Sequence, residues 1–402
     1  MMQSVSSIAR ICRDEIRTIL RDQGVVLFIF VVPLLYPVLY AFIYTNEVVR
    51  EVPVAVVDDS NSPLSRKFVR MLDASPGVRV AARCSSMAEA EDLNRHGEIY
   101  GIVRIPSELN KQLLRGEQAT IGVYADMAGM LYYKSLLLAA TDVSLLMNKQ
   151  LKVQRHYLGA TGRQEQIATQ PIEYDYVTLF NTQNGFGSFL LPPVLMLILQ
   201  QTLMLGLGMT GGARRERYGD IPMPYSSDWH NPFHIIAGRT IPYFNLYLLL
   251  AMYMFVAIHQ FFGFPQLGDY FTFFIFIVPF LLACIFMGIV FSAFIYRRED
   301  CILLFVFMSV PLLFISGISW PGASVPEFWQ WVGTLFPSTY ATNGYVRIQT
   351  MGASLHQVRH EWNALWIQAG VYFFLSIVFY RREILKRLKK SRPKLAKVAK
   401  KS

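Results

Sequence analysis

Residues 25–44 read VVLFIFVVPLLYPVLYAFIY, twenty positions without a single charge. That is the length a helix needs to cross a hydrocarbon core about 30 Å thick. The stretch closes on a tyrosine-rich run, as membrane-interface belts do. A cleaved leader is the competing reading. Its apolar region would be shorter, and no small-x-small cleavage site precedes Thr45, Asn46 and Glu47. The stretch therefore predicts a retained first span.

Working outward, five more apolar regions follow, at 187–209, 235–260, 270–296, 301–318 and 363–380. Composition agrees. The chain is 53% hydrophobic and 16% charged, against about 25% charged in an average soluble chain. The expected fold class is an α-helical integral membrane protein with six transmembrane helices. Residues 1–24 precede the first span and read as an amphipathic helix. Val5, Ile8, Cys12, Ile16 and Ile19 follow one helical stripe, and Arg10, Arg13, Arg17 and Arg21 another. Such a helix lies in the headgroup plane, so membrane lipids are an expected partner.

Residues 46–180 differ in character. Apolar runs at 54–57, 78–82, 100–105 and 119–124 alternate with helical patterns at 64–73, at 87–96, from Pro106, which stands at an early helical position, and from Met130 to about residue 157. Alternating strands and helices imply an α/β domain. Asp58 and Asp59 read as a strand-end turn and helix cap rather than metal ligands. The four cysteines, Cys12, Cys84, Cys284 and Cys301, fit no zinc spacing, and only Cys84 falls in this domain, so it holds no internal disulfide.

Basic residues in the short loops set the orientation. Four arginines lie in the N-terminal arm, four in the loop 211–239, two at Arg297 and Arg298, and eleven lysines or arginines in 381–401. On the other side, 261–269 has none and 319–361 has Arg347 and Arg359. Both termini are expected in the cytoplasm and the 46–180 domain outside it. The net charge of +10 is concentrated in the basic tail 381–402. That tail directly follows an apolar run, which points to anionic lipid rather than nucleic acid.

The chemistry is as informative for what is missing. No G-x-x-x-x-G-K-[ST], G-x-S-x-G or H-E-x-x-H motif occurs, so no catalytic residue and no metal site is predicted. No acid lies within a span; Asp269, Glu299 and Asp300 sit at span ends. An ion-coupled carrier or a membrane-embedded transferase would need one. Gln200 and Gln201, in mid-span, read as an interhelical hydrogen bond or as lining for a substrate path. The loop Arg214-Arg215-Glu216-Arg217-Tyr218-Gly219, before Pro222 and Pro224, reads as a docking element for a partner protein.

Three segments carry a family resemblance. The loop 214–219, with Ala237, Gly238 and Arg239 downstream, is similar to an "R-E-R-E-x-G-T … G-K" cytoplasmic loop. Ser316, Gly317 and Pro321, then Pro326, Pro337, Thr339 and Tyr340, are similar to an "S-G-x-x-x-P … P … P-x-T-x-Y" signature. Pro53 to Asp58 with Ser65 and Arg66, then Gly101 to Pro106, resemble the outer domain of a subgroup that has one. The chain thus resembles the ABC-2 type permeases, membrane subunits of ATP-binding-cassette exporters, over nearly its whole length. Tyr218, Asp220 and Arg239 depart from that family's usual residues.

The resemblance implies a permease that pairs with a second permease subunit, identical or related, and is driven by a separate ABC ATPase subunit. ATP and Mg would be bound by that partner, and no cofactor by this chain. Arg214, Arg215, Glu216, Arg217, Tyr218 and Gly219, with Arg10, Arg13 and Arg17, would contact the ATPase. Gly317, Pro321, Pro337 and Tyr340 would shape an outer, re-entrant-like segment within 319–361. A periplasmic membrane-fusion adaptor is a further expected partner, and a bacterial inner membrane the expected location. The alternative is a non-transporting receptor or assembly protein of the same layout, using its outer domain to bind partners.

Overall fold

A computed structural model describes residues 2–45, 48–115, 117–127, 129–156, 180, 185–219, 231–317, 320 and 322–399. The chain divides into two compact units. Unit 1 comprises Met1–Glu47 and Thr178–Ser402, and unit 2 Val48–Val177.

Unit 1 opens with α1, Met2–Arg21, followed by α2, Gln23–Ile43, whose start is capped by the side chain of Asp22. The helix α7, Phe186–Tyr218, is enclosed by α9 (Tyr270–Phe291), α10 (Arg298–Ile315) and α12 (Pro337–Met351). The helix α8, Pro232–Phe262, packs along α1, and α13, Arg359–Ala399, along α9. Between α10 and α12 lie a short 3-10 turn, Gly322–Ser324, and α11, Glu327–Thr334. Span ends carry the acids as expected. Asp269 accepts from Thr272 N at 3.2 Å, and Asp300 from Arg297 N at 3.1 Å, each satisfying a free N–H at a helix start.

In unit 2 the sheet order is β2-β1-β3-β4, with β1 (Val52–Asp58), β2 (Val78–Cys84) and β3 (Gly101–Ile105) parallel and β4 (Gly122–Ala125) antiparallel. The central β1 is apolar almost throughout because both of its faces are covered. Val52, Val54 and Val56 meet Phe68 and Leu72 of α3 (Pro63–Asp73) and Leu136 and Val143 of α6 (Met130–His156). Ala55 and Val57 meet Ala90 of α4 (Met87–Arg95) on the opposite face. The short α5, Leu109–Arg115, begins after Pro106 rather than at it, since Pro106 O accepts from Leu109 N in the preceding turn. Asp58 accepts from Ser60 N, Asn61 N and Ser65 Oγ, the expected turn, but neither aspartate caps the helix: Ser62 caps α3 in a capping box with Ser65, and Asp59 pairs with Arg104. The four cysteines are free.

Six helical segments among the described residues are long and apolar enough to cross a membrane. Five fall on expected spans. The sixth is the stretch Met130–Leu151 of α6, which the sequence reading assigned to the α/β domain and whose buried side packs on the sheet of unit 2. The expected span at 301–318 is helical as α10. It starts three residues earlier, and its first turn of Arg298, Glu299 and Asp300 keeps it out of that set.

The helix α1 buries only part of its apolar stripe against the rest of unit 1. Ile11, Glu15 and Ile19 are buried, whereas Val5, Ile16 and Leu20 are exposed. The buried line is rotated from the apolar stripe and has an acid at its centre.

Candidate functional site: a buried carboxylate clamp beside a basic cavity

The segment 211–218 is the last two turns of α7, not a separate loop. Helix continuity follows from the sequence, because nothing between Gly211 and Tyr218 breaks the ladder and the chain turns only at Gly219, at φ +79°. Gly211 and Gly212 let this end lie close to Ser292 and Arg297. A β-carbon on Gly212 would sit 3.1 Å from the backbone nitrogen of Arg298.

Burial of Glu15 is resolved by two guanidiniums. Arg214 of α7 donates to its Oε2, and Arg239 Nε of α8 to its Oε1 at 3.2 Å. Arg239 also donates to the hydroxyl of Tyr380 on α13. One carboxylate thus ties α1 to α7 and α8, and through Arg239 to α13. A carboxylate in such a place is tenable only when paired and hydrogen-bonded. Gly238 makes the approach possible: a β-carbon there would lie 2.7 Å from Ile11 Cβ.

A second network adjoins. Arg298 Nη1 donates to Asp22 Oδ2 at 2.7 Å and Arg298 Nε to Glu216 Oε2 at 2.9 Å. This joins the start of α10 to the α1–α2 junction and the end of α7. Arg215 donates to Ala293 O and stacks over Tyr296 at 4.7 Å. Arg217 stacks over Tyr218 at 5.5 Å. Between the networks opens a cavity of about 1010 Å³. Arg17, Arg21, Arg214, Arg217 and Arg298 line it against Asp14, Asp22 and Glu216. Arg17 and Arg21 make no ion pair among the described residues, so the cavity carries surplus positive charge.

Of the residues singled out from sequence, Arg17, Arg214, Glu216, Arg217 and Tyr218 meet at this cavity. Arg10 and Arg13 are exposed on α1 and do not line it; Arg215 and Gly219 lie alongside. Glu15, Asp22, Arg298 and Tyr380 were missed. Glu15 had a signal: it stands four residues from both Ile11 and Ile19, an acid on an apolar line.

Gln200 and Gln201 are buried in α7. Gln200 Oε1 accepts from Ser338 N at 2.8 Å and from Cys284 Sγ at 3.7 Å, an interhelical bond. Its Nε2 and both polar atoms of Gln201 have no partner among the described residues. Neither have Ser338 Oγ, Thr342 Oγ1, Tyr345 OH and Gln349 Oε1, a buried line along α12. Each such orphan costs about 1–3 kcal/mol, so this seam is polar beyond what packing requires. Pro337 is the buried first residue of α12, with half-buried Tyr340 in its first turn, and Gly317 ends α10 at φ +82°. Pro321 and the stretch 220–230 lie outside the described residues.

Helices long and apolar enough to cross a bilayer, with a small α/β unit within the chain, describe a multi-pass membrane protein. Residues 24–378 match the profile of the ABC-2 family transporter proteins, and the chain belongs to that family. It is 20% identical over 369 residues to ABC transporter G family member 20 of Dictyostelium discoideum; the match covers 90% of this chain and 48% of that protein. The chain thus spans about half the length of the curated relative it matches.

Proposed function

We propose that the chain is the permease subunit of an ABC exporter, paired with a second permease and driven by a separate ATPase subunit that binds at the basic cavity. The observation that carries this reading is the clamp. Glu15 links the N-terminal helix to both ends of the segment 214–239, beside an open cavity with unpaired arginines. A push at the cavity would reach α1, α7 and α8 together, and α10 through Arg298. Charge-assisted pairing with carboxylates of the partner is the chemistry such a surface offers. ATP and Mg belong to the partner in this reading.

In the same reading the cavity side and the basic tail face the cytoplasm of the cell that carries the chain, and unit 2 faces away from it. The loop charges support this assignment. Gln200 and Gln201, with the polar line of α12, are the candidate lining of the path.

The test is purification from native membranes in mild detergent. Vanadate-sensitive ATPase activity is expected to accompany the wild-type chain and to be lost with Arg17→Glu combined with Arg217→Glu. Both side chains are exposed, so folding should survive. Equal ATPase recovery with the variant would refute the docking site. No ATPase recovery with either chain would favour the receptor reading.

A further inference from the structure

The helix α6 has a second face that the sheet of unit 2 does not use. Leu136, Ala139, Val143 and Met147 point into the core. On the opposite side Leu131, Leu138 and Leu145, seven residues apart, are 38%, 51% and 49% exposed. Leu137 and Leu146 flank them, also exposed. Five leucines on the open side of one helix form an apolar surface of the sort that proteins cover.

The charges on this face say what covers it. Lys134 and Asp142 are exposed, and neither makes an ion pair among the described residues. They stand one turn before and one turn after Leu138, on the i±4 ridge 134–138–142. Suppose this ridge is laid antiparallel on its own copy, with a two-fold axis passing beside Leu138. Lys134 then meets the copy's Asp142, and Asp142 the copy's Lys134. The same operation places Leu131 opposite the copy's Leu145. A two-fold interface must be self-complementary in this way, each residue meeting its own mirror position in the sequence. An unrelated partner or a lipid surface would have no need of a charge pattern that is opposite in sign about its midpoint.

We propose that unit 2 is an association domain, in which the α6 helices of two copies of this chain pack antiparallel about Leu138, with reciprocal Lys134–Asp142 pairs. This rests on the paired-subunit reading above and names the surface that pairs.

The experiment uses the full chain in its membranes. Leu138→Cys puts two thiols next to the two-fold axis, within the short Cβ separation a disulfide requires. Mild copper-phenanthroline oxidation is expected to convert it to a covalent dimer, while the unaltered chain, treated alike, stays monomeric on a denaturing gel. Adding Lys134→Glu is expected to cut the yield about fivefold, since two exposed pairs become repulsive. Adding Asp142→Lys to that variant restores it. A particle of two copies with no cross-link at Leu138→Cys overturns this interface and leaves paired subunits standing. A particle of one copy overturns both. A cross-link indifferent to the charge exchange overturns the reciprocal pairing, and protection of the introduced thiol from maleimide without cross-linking assigns the face to lipid or another protein.

Discussion

Glu15 joins α1 to both α7 and α8. It is fully buried, and its two oxygens are divided between Arg214 and Arg239. Removing its charge leaves two guanidiniums facing each other without a counter-ion. Glu15→Gln is expected to destabilise unit 1 by about 3–5 kcal/mol, read as a lowered unfolding temperature in detergent. Because the three groups act as one network, Arg239→Gln in the Glu15→Gln background should cost far less than it does alone. Additive losses would show that the residues act separately. An apolar replacement of all three is the informative counterpart, since a buried ion network is weak support for stability as such. If that variant folds but no longer couples ATP hydrolysis to transport, the clamp serves mechanism rather than folding.

At the scale of elements, the contact between α1 and α8 depends on a missing side chain. Gly238 lies against Ile11 Cβ and against the carbonyl of Ile8, 3.2 Å from where its β-carbon would be. Gly238→Val is expected to cost about 1–3 kcal/mol through overpacking and to loosen α1, read as faster hydrogen exchange in residues 8–19. Unchanged exchange there would mean that α1 is held by the clamp alone. The polar seam between α7 and α12 makes a second element-scale prediction. Gln200→Leu removes the acceptor of Ser338 N and leaves that buried donor unpaired, a loss of about 1–3 kcal/mol. Ser338→Ala keeps the backbone donor and removes only an orphan hydroxyl, so it should be neutral or stabilising. The reverse order of effects would count against Gln200 as a tie between these helices.

For the whole molecule, the expectation concerns sides of the membrane. Unit 2 lies between two stretches of unit 1 in the chain, and within unit 1 the rings of Tyr44 and Phe186, one from each stretch, lie 5.6 Å apart. With loop charges as the guide, Arg83→Cys in unit 2 and Arg382→Cys in α13 should lie on opposite sides. Both native side chains are exposed. Cys84, Cys284 and Cys301 are buried and Cys12 is half-buried, so both variants are made in a Cys12→Ser background. A membrane-impermeant maleimide should label Arg83→Cys in sealed cells and Arg382→Cys only after permeabilisation. Labelling of both from one side would sink the orientation.

Much of this was legible in the sequence, and the parts that were share a cause. Apolar runs, the turn at Asp58, the acids at span ends and the strands of unit 2 are local. Their signals lie within a few residues, in hydrophobic length, period and capping chemistry. Residues 25–44 by themselves pointed to a membrane, since twenty uncharged apolar positions in a row are what a bilayer-spanning helix needs. The strands before it place the helix α6 in the 46–180 domain; by length and composition Met130–Leu151 could cross a bilayer, and it packs on β1, β2 and β4 of unit 2. The clamp shows where local reading stops. Arg214 was noticed in a charged segment and Arg239 as a family departure. Glu15 went unremarked among four arginines, because its partners lie 199 and 224 residues away. Which carboxylate is buried, and between which guanidiniums, is fixed by the register of α1 on α8 and α7. That register depends on the absence of a side chain at Gly238 and on the full shape of the helices around it, and it exists only once they have packed.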